Sequence, residues 1–219
     1  MFVSKLVPQN LNKQRVDIIL KELNLVESRT QALALVMAGN VFVDNKKINK
    51  PGKLINSNTT IKLKKNDHNW VSRGGIKLNY AFKKFDINVY EKISLDIGCS
   101  TGGFTDVLLY AGAKKVYAVD DGYGQFDWKL RNSDKVTLLE RTNAKKLNSK
   151  IIPELMDIIV CDVSFISIRK VLMPTKQLIG KDYEIVALIK PQFEATKEQV
   201  GRGGIIKDTS LHTKICNDA

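Results

Sequence analysis

Acidic side chains follow apolar stretches of this chain at places where the strands of a parallel sheet would end. Residues 95–106 read Leu-Asp-Ile-Gly-Cys-Ser-Thr-Gly-Gly-Phe-Thr-Asp, which is typical of a strand, a glycine-rich turn and a helix start. A second apolar stretch, 116–119, ends in Asp120. Glycines let the backbone approach a ligand closely, and an acid at the next strand tip can bind both hydroxyls of a ribose. The pattern predicts a site for an adenosine-containing cofactor.

The acid that opens the turn favours one such cofactor. Dinucleotide sites use Gly-x-Gly-x-x-Gly, with a pyrophosphate at the helix N-terminus. Here Asp96 is followed by glycines at 98, 102 and 103. A carboxylate would repel a pyrophosphate, but it suits the sulfonium and amine of S-adenosylmethionine, which has no phosphate. A turn without any ligand is the open alternative. The predicted cofactor-binding residues are Asp96, Gly98, Ser100, Thr101, Gly102, Gly103 and Asp120.

Three further charged residues are candidates for catalysis. Asp162 and Lys190 follow the apolar stretches 157–161 and 184–189, and Lys77 precedes the first strand. Such a cluster beside a methyl donor suits deprotonation of a poorly acidic hydroxyl, such as a ribose 2′-hydroxyl, provided that burial or a like charge favours a neutral lysine. We predict Lys190 as the base, with Asp162 and Lys77 as orienting groups. A helix cap and two surface lysines are the alternative interpretation.

Composition narrows the class of protein. The 219 residues suffice for one large and one small domain. No apolar run approaches the roughly 18 residues of a membrane span, and we see no signal peptide. Three cysteines without a CxxC pair predict reduced thiols in the cytoplasm. Two histidines offer few zinc ligands, so we predict no metal site.

The positive charge is concentrated near the N-terminus. The chain carries a net charge of +12, and residues 1–65 hold 12 Lys and Arg against 4 Asp and Glu. This asymmetry predicts a module that binds a polyanion, of which nucleic acid is the usual one. A solvated, lysine-rich surface is the alternative.

The N-terminal pattern predicts a small α+β module after a loose start over 1–11. Apolar spacing predicts helices over 15–23 and 29–38, the second capped by Ser28 and stopped by a glycine. Short strands follow over 41–43 and 46–48, with an edge strand over 61–64.

This module resembles the S4-type RNA-binding domain. The resemblance rests on Arg-Val-Asp at 15–17, Ser-Arg-x-x-Ala at 28–32, Gly-x-Val-x-Val at 39–43 and Lys-Pro-Gly at 50–52. It implies a basic face that grips structured RNA. The residues expected on that face are Arg15, Ser28, Arg29, Lys46 and Lys47.

The rest of the chain alternates strands and helices. This alternation predicts a Rossmann-like α/β domain in which helices cover both faces of a parallel sheet. The predicted strands lie near 93–97, 116–120, 136–139, 157–161 and 184–189, and the predicted helices near 71–85, 103–111, 124–131, 168–179 and 209–216.

Together these motifs resemble the TlyA family of ribosomal RNA ribose methyltransferases, whose catalytic domain is FtsJ-like. The matching stretches are 71–78, 95–106, 119–128, 140–143, 162–168 and 188–194. The resemblance implies a cytidine 2′-O-methyltransferase that acts on ribosomal RNA or ribosomal subunits. It also implies a Lys-Asp-Lys-Glu tetrad, whose first three members match Lys77, Asp162 and Lys190, and it places Glu140, Thr142 and Asn143 near the adenosine.

The expected organisation is an S4-type domain over 1–65, a linker over 66–72 and a methyltransferase domain over 73–219. We expect this last domain to lack its C-terminal strands and the tetrad glutamate. Three alternatives stay open: a non-catalytic RNA-binding or ribosome-assembly protein, a cell-lysing protein, and a nicotinamide dehydrogenase. Asp-Val-Ser-Phe at 162–165 counts against base N-methylation, which usually has Asp/Asn-Pro-Pro-aromatic there.

Overall fold

The computed structural model describes residues 2–26, 28–64 and 68–219. Contacts divide the chain into two units, Met1–Asn69 and Trp70–Ala219. Of the predicted linker, residues 66 and 67 lie outside the described residues, and 68–72 form bends. The predicted helix over 71–85 begins at Gly74.

An antiparallel sheet backs two helices in the N-terminal unit. Its strands lie in the order β1, β6, β3, β4, and a short β2–β5 pair stands apart. The inward side chains of the sheet and the apolar stripes of both helices form one buried core. The elements are β1 Phe2–Leu6, β2 Gln14–Arg15, α1 Val16–Glu22, α2 Arg29–Met37, β3 Val41–Val43, β4 Lys46–Ile48, β5 Leu54–Ile55 and β6 Thr60–Lys64.

Local chemistry accounts for the boundaries that the sequence predicted in this unit. The Ser28 hydroxyl accepts a hydrogen bond from the backbone N–H of Gln31 at 3.1 Å, which caps α2. Gly39 ends α2 with a φ of +71°. Asp44 and Asn45 turn the β3–β4 hairpin with left-handed φ values of 46° and 65°.

Two expectations for this unit were wrong. Residues 2–6 are not a loose start, because they form β1 and pair antiparallel with β6. As a result β6 is not an edge strand, and it lies between β1 and β3. The partner strand β6 lies almost the whole length of the unit away from β1 in sequence, so no local sequence pattern predicts this pairing.

The C-terminal unit is built on a sheet whose neighbouring strands are all parallel, in the order β11, β10, β7, β8, β9. The chain order reverses between β7 and β10, which is where such sheets bind ligands. The elements are α3 Gly74–Phe85, β7 Ile93–Ile97, α4 Gly103–Tyr110, β8 Lys115–Val119, α5 Trp128–Arg131, β9 Val136–Leu139, β10 Met156–Cys161, α6 Ile168–Leu172, β11 Ile179–Ala187, α7 Pro191–Glu194 and α8 Thr209–Asp218.

Successive side chains of each strand point to opposite faces of the sheet and pack into two separate cores. Leu95 and Ile97 of β7 pack with α6 on one face. Ile158 and Val160 of β10 pack with α3 and α4 on the other. The predicted parallel sheet with helices on both faces is confirmed.

Three further element boundaries in this unit differ from the prediction. The helix expected over 124–131 forms only at 128–131, because Gly124 takes a φ of +75° and Asp127 caps the helix. The helix expected over 168–179 changes at Met173 into 3₁₀ turns, where Pro174 has no N–H to donate. The last predicted strand starts earlier, at Ile179.

Two further observations concern the cysteines and the helices. Cys99 and Cys161 are buried free thiols, and Cys216 is an exposed one. Over the described residues, no helix is both long enough and apolar enough to cross a bilayer.

Candidate active site

The turn between β7 and α4 requires glycine at two positions, because the backbone is left-handed at each and a neighbouring atom lies too close for a Cβ. Gly98 has a φ of +80°, and a Cβ there would lie 2.9 Å from the carbonyl oxygen of Asp162. Gly102 has a φ of +96°, and a Cβ there would lie 2.5 Å from Leu130. The glycines therefore let the turn pack directly against the end of β10 and against α5.

Asp96 is a fully buried acid beneath this turn. One carboxylate oxygen accepts a hydrogen bond from the Thr105 hydroxyl at 2.7 Å. The other, Oδ1, is buried without a hydrogen-bond partner in the structure. Burial raises the pKa of Asp96 to about 7, and the negative charges of Asp162 and Asp120 add to the shift. An orphaned, buried acceptor with a perturbed pKa marks a candidate functional position.

Asp120 joins the two glycine-rich turns. Its carboxylate accepts hydrogen bonds from the backbone N–H groups of Ser100 at 2.8 Å and Gly122 at 2.7 Å. Its own carbonyl oxygen accepts the backbone N–H of Thr142 at 2.9 Å. Three strand ends are tied together in this way, and each carboxylate oxygen keeps a lone pair for a ligand.

A cleft of about 640 Å³ opens over these strand ends. Five of the predicted cofactor-binding residues line it: Gly98, Ser100, Asp120, Thr142 and Asn143. Thr101 and Gly103 line an adjoining pocket of about 370 Å³. Asp96 and Gly102 line neither cavity and instead support the turn from beneath. The structure thus gathers the predicted set around one edge of the sheet and separates lining residues from supporting ones.

The adjoining pocket contains the three predicted catalytic residues. Asp162 lies between two ammonium groups, with Lys77 Nζ at 2.5 Å and Lys190 Nζ at 2.6 Å from its carboxylate oxygens. Burial opposes ionisation of Asp162, but the hydrogen bonds and charges of Lys190 and Lys77 outweigh it and hold its pKa below the ordinary value. Asp162 is therefore ionised at neutral pH, and its carboxylate links the two lysine side chains.

The two cavities meet at the cluster. Both are lined by Gly98, Ser100, Asp162 and Ser164. A ligand in the larger cleft and a second molecule in the smaller pocket would therefore come together beside Asp162. This geometry suits transfer of a group between two bound molecules.

Sequence reasoning missed three residues of this site. The Ser164 hydroxyl accepts a hydrogen bond from Lys190 Nζ at 2.8 Å, and Thr105 holds Asp96 as described above. Phe165 lines the cleft with 91% of its surface exposed and a left-handed φ of +64°. Its ring packs on that of Phe193, with centroids 5.1 Å apart. A large side chain in this strained conformation is typical of a functional position. In the sequence, the signal that could have identified Phe165 is its position three residues after Asp162.

The predicted RNA-binding residues of the N-terminal unit fall into two groups. Arg15 and Arg29 both bind Asp17, with Nε–carboxylate distances of 3.0 and 2.8 Å. Asp17 is fully buried, and hydrogen bonding to Arg15, reinforced by Arg29, lowers its pKa to about 2. The sequence analysis did not assign this acid a role, although it stands two positions after Arg15. We call these three residues the arginine clamp.

The other predicted residues of that face are dispersed. Ser28 caps α2 with the side chain that was expected to face RNA. Lys46 and Lys47 are both exposed, and they lie on β4, where the sequence predicted a short strand. Since neighbouring strand residues point to opposite faces of a sheet, the two lysines cannot act on one surface together.

These features define a methyltransferase-type sheet joined to a small basic unit, and comparison with known families agrees. Residues 70–219 match the family model described as FtsJ-like methyltransferase, and residues 14–61 match the S4 domain. The chain belongs to the FtsJ-like methyltransferase family and carries an S4 domain, which confirms the family predicted from the motifs.

Named relatives cover most of the chain. Hemolysin A of Brachyspira hyodysenteriae is 45% identical over 94% of this chain and 85% of its own length. The 16S/23S rRNA (cytidine-2'-O)-methyltransferase TlyA of Mycobacterium tuberculosis is 43% identical over 92% of this chain and 76% of its own. A solved structure from Streptococcus thermophilus, provisionally named a hemolysin, has a TM-score of 0.69 and 42% identity, covering 95% of this chain and 76% of that one.

Proposed function

We propose that this protein transfers the methyl group of S-adenosylmethionine to the ribose 2′-hydroxyl of a cytidine in ribosomal RNA. The observation that carries the proposal is the Lys77–Asp162–Lys190 cluster at the junction of two cavities. The name of the Mycobacterium tuberculosis relative supports the reaction and the substrate. A ribosomal substrate would be met in the cytoplasm.

The larger cleft has the donor set that S-adenosylmethionine requires. Asp120 lies at a strand tip with lone pairs for the ribose hydroxyls, and Gly98 lines the same cleft. The buried Asp96 has a carboxyl oxygen without a hydrogen-bond partner beneath the turn, which suits a ligand that carries an amine and a sulfonium better than one that carries phosphates. When bound, S-adenosylmethionine would supply an electrophilic methyl group that an oxygen nucleophile attacks as the C–S bond breaks and the neutral thioether leaves.

The residues of the smaller pocket would prepare that nucleophile. Lys190 Nζ, oriented by Ser164 and Asp162, accepts the proton of the ribose hydroxyl. Because Lys77 and Lys190 share one carboxylate, Asp162 can remain paired with Lys77 while Lys190 is neutral. The positive charge of Lys77 would also stabilise the developing alkoxide.

The arginine clamp would hold the RNA through its phosphates. Arg15 and Arg29 keep 43% and 53% of their side chains exposed, so their guanidinium groups are accessible to phosphates while Asp17 fixes their orientation. Arginine is suited to this task because its planar fork matches phosphate geometry.

The test is methyl incorporation from labelled S-adenosylmethionine into purified, unmethylated ribosomal subunits, followed by nucleoside analysis. We expect 2′-O-methylcytidine with the unaltered protein, and none with Lys190→Ala. The matched control is Lys135→Ala, which removes an exposed lysine at the opposite edge of the same sheet. Calorimetry should show that Lys190→Ala still binds S-adenosylmethionine. Incorporation that survives in Lys190→Ala would remove this lysine as the base, and label in a base rather than a ribose would overturn the proposal.

A further inference from the structure

The N-terminal sheet has an outward face that the arginine clamp does not use. The register places Phe2 opposite Lys64, and Phe42 opposite both Lys62 and Lys47. Their neighbours in sequence, such as Val41 on β3 and Ile61 on β6, are buried in the core. Since alternate residues of a strand point to opposite faces, the two phenylalanines and three lysines share the outer face.

The two aromatic rings meet across β6 on this face. The ring centroids of Phe2 and Phe42 lie 5.5 Å apart in an edge-to-face arrangement of 82°. Phe2 is 50% exposed, and neither ring belongs to the buried core of the unit. An exposed ring beside a half-buried one on the outer face of a sheet points to a ligand with a flat apolar surface.

The charged side chains around the two rings indicate the chemical class of this ligand. Lys47 and Lys64 are exposed, and Lys62 is anchored by a 2.7 Å hydrogen bond from its Nζ to Asn45 Oδ1. The outward residues of β1, β3, β4 and β6 include no acid. Lysines suit a polyanion, and the rings suit stacked bases, which a double helix would hide. An RNA single strand has both properties.

We infer that this face, which we call the aromatic–lysine face, binds an unpaired RNA segment by stacking bases on Phe42 and Phe2 and pairing phosphates with the lysines. The inference rests on the proposed function, because it assigns the ribosomal RNA a second contact beyond the arginine clamp. It also gives Lys47, but not Lys46, a direct role.

The experiment measures binding of the 219-residue chain to a labelled, unstructured pyrimidine oligoribonucleotide by fluorescence anisotropy. Phe42→Leu keeps an apolar side chain of similar size but removes the ring. We expect Phe42→Leu to weaken binding about tenfold. Phe42→Tyr keeps an aromatic ring and should bind the oligonucleotide like the unaltered protein. The matched control is Met37→Ala, which removes an exposed apolar side chain from α2. We expect Lys64→Ala to lower the salt dependence, with a slope smaller by about 0.7.

The outcomes separate this inference from the proposed function. Unchanged oligonucleotide affinity in Phe42→Leu, with thermal melting and methyl transfer like the unaltered protein, would overturn the inference alone. Equal losses in Phe42→Leu and Met37→Ala would also overturn it. Weaker oligonucleotide binding in Phe42→Leu would support it, even if no methyl transfer were found with any protein, in which case only the proposed function would fail.

Discussion

Each unit of this molecule holds a carboxylate between two cationic side chains, and the two arrangements differ in burial and in the type of cation. Asp17 is fully buried between two guanidinium groups. Asp162 keeps 16% of its side chain exposed between two ammonium groups. Arginine stays charged under all ordinary conditions, whereas lysine can lose its proton in a suitable site. The first arrangement can therefore only fix geometry, while the second can also move a proton.

The most severe test of this contrast replaces the lysine with an arginine. Lys190→Arg keeps a positive charge beside Asp162 but cannot accept a proton. We expect methyl transfer to ribosomal subunits to fall about a thousandfold, with S-adenosylmethionine affinity by calorimetry unchanged within twofold. A variant that retained a rate within tenfold of the original would show that Lys190 supplies charge alone.

Asp96 sharpens the contrast because it is a buried carboxylate without a cation in contact. Its pKa is raised to about 7 in the fold, so between about pH 4 and 7 the folded state holds a proton that the unfolded state has released. This contribution to stability is fully present below pH 4 and is lost as the pH rises through 7. The slope is at most about 1.4 kcal/mol per pH unit for one proton.

Unfolding by urea over this pH range measures the effect. We expect Asp96→Asn to remove the slope, while Asp134→Asn, which changes an exposed acid of the same unit, should leave it in place. An identical slope in the Asp96→Asn variant would assign the pH dependence to other groups.

Removing the acid of the arginine clamp should act on stability and RNA binding but not on chemistry. We expect Asp17→Asn to destabilise the N-terminal unit by about 2 kcal/mol, since charge-assisted hydrogen bonds are lost at a buried site, and to weaken RNA binding several-fold. The pKa of Asp17 is lowered to about 2, so its contribution is present above about pH 4 and is lost as the pH falls through 2. This acid sensitivity should disappear in the variant.

Single-turnover methylation at saturating RNA should stay unchanged in Asp17→Asn. Glu22→Gln is the matched control, because it neutralises an exposed acid of the same helix. A clamp variant with unaltered stability and RNA affinity would mean that Arg15 and Arg29 need no buried partner.

The mildest change exchanges one cation for another within the clamp. Arg29→Lys keeps the charge but loses the planar fork, so we expect RNA affinity to fall about threefold while the salt dependence of binding stays the same. Arg29→Ala should lower the affinity further and also flatten the salt dependence. A threefold loss together with a flattened salt slope in Arg29→Lys would contradict this account.

The sequence predicted the parallel sheet because its signals are local. The apolar stretches that stop at Gly98, Asp120 and Asp162 indicated where the strands end, and the rule for parallel sheets brought these ends to one edge. The ion pairs of Asp162 with Lys77 and Lys190 extend this logic to side chains that are distant in sequence.

The contacts that the sequence did not reveal depend on tertiary packing. Nothing near Asp17 shows that it is buried, because its burial comes from the packing of α1 against the rest of its unit. Phe165 takes a left-handed backbone conformation that its residue type disfavours. Strand β1 was missed because its partner lies at the far end of the unit in sequence.

The pairing of β1 with β6 also affects how the N-terminal unit is made. During synthesis β1 cannot pair until β6, which ends at Lys64, has been made. The sheet therefore closes in one late step, and β1 stays unpaired and exposed until then. Once closed, the unit has its first and last strands side by side. A short linker could therefore join them, and new termini could be opened in the β3–β4 turn without reordering the sheet.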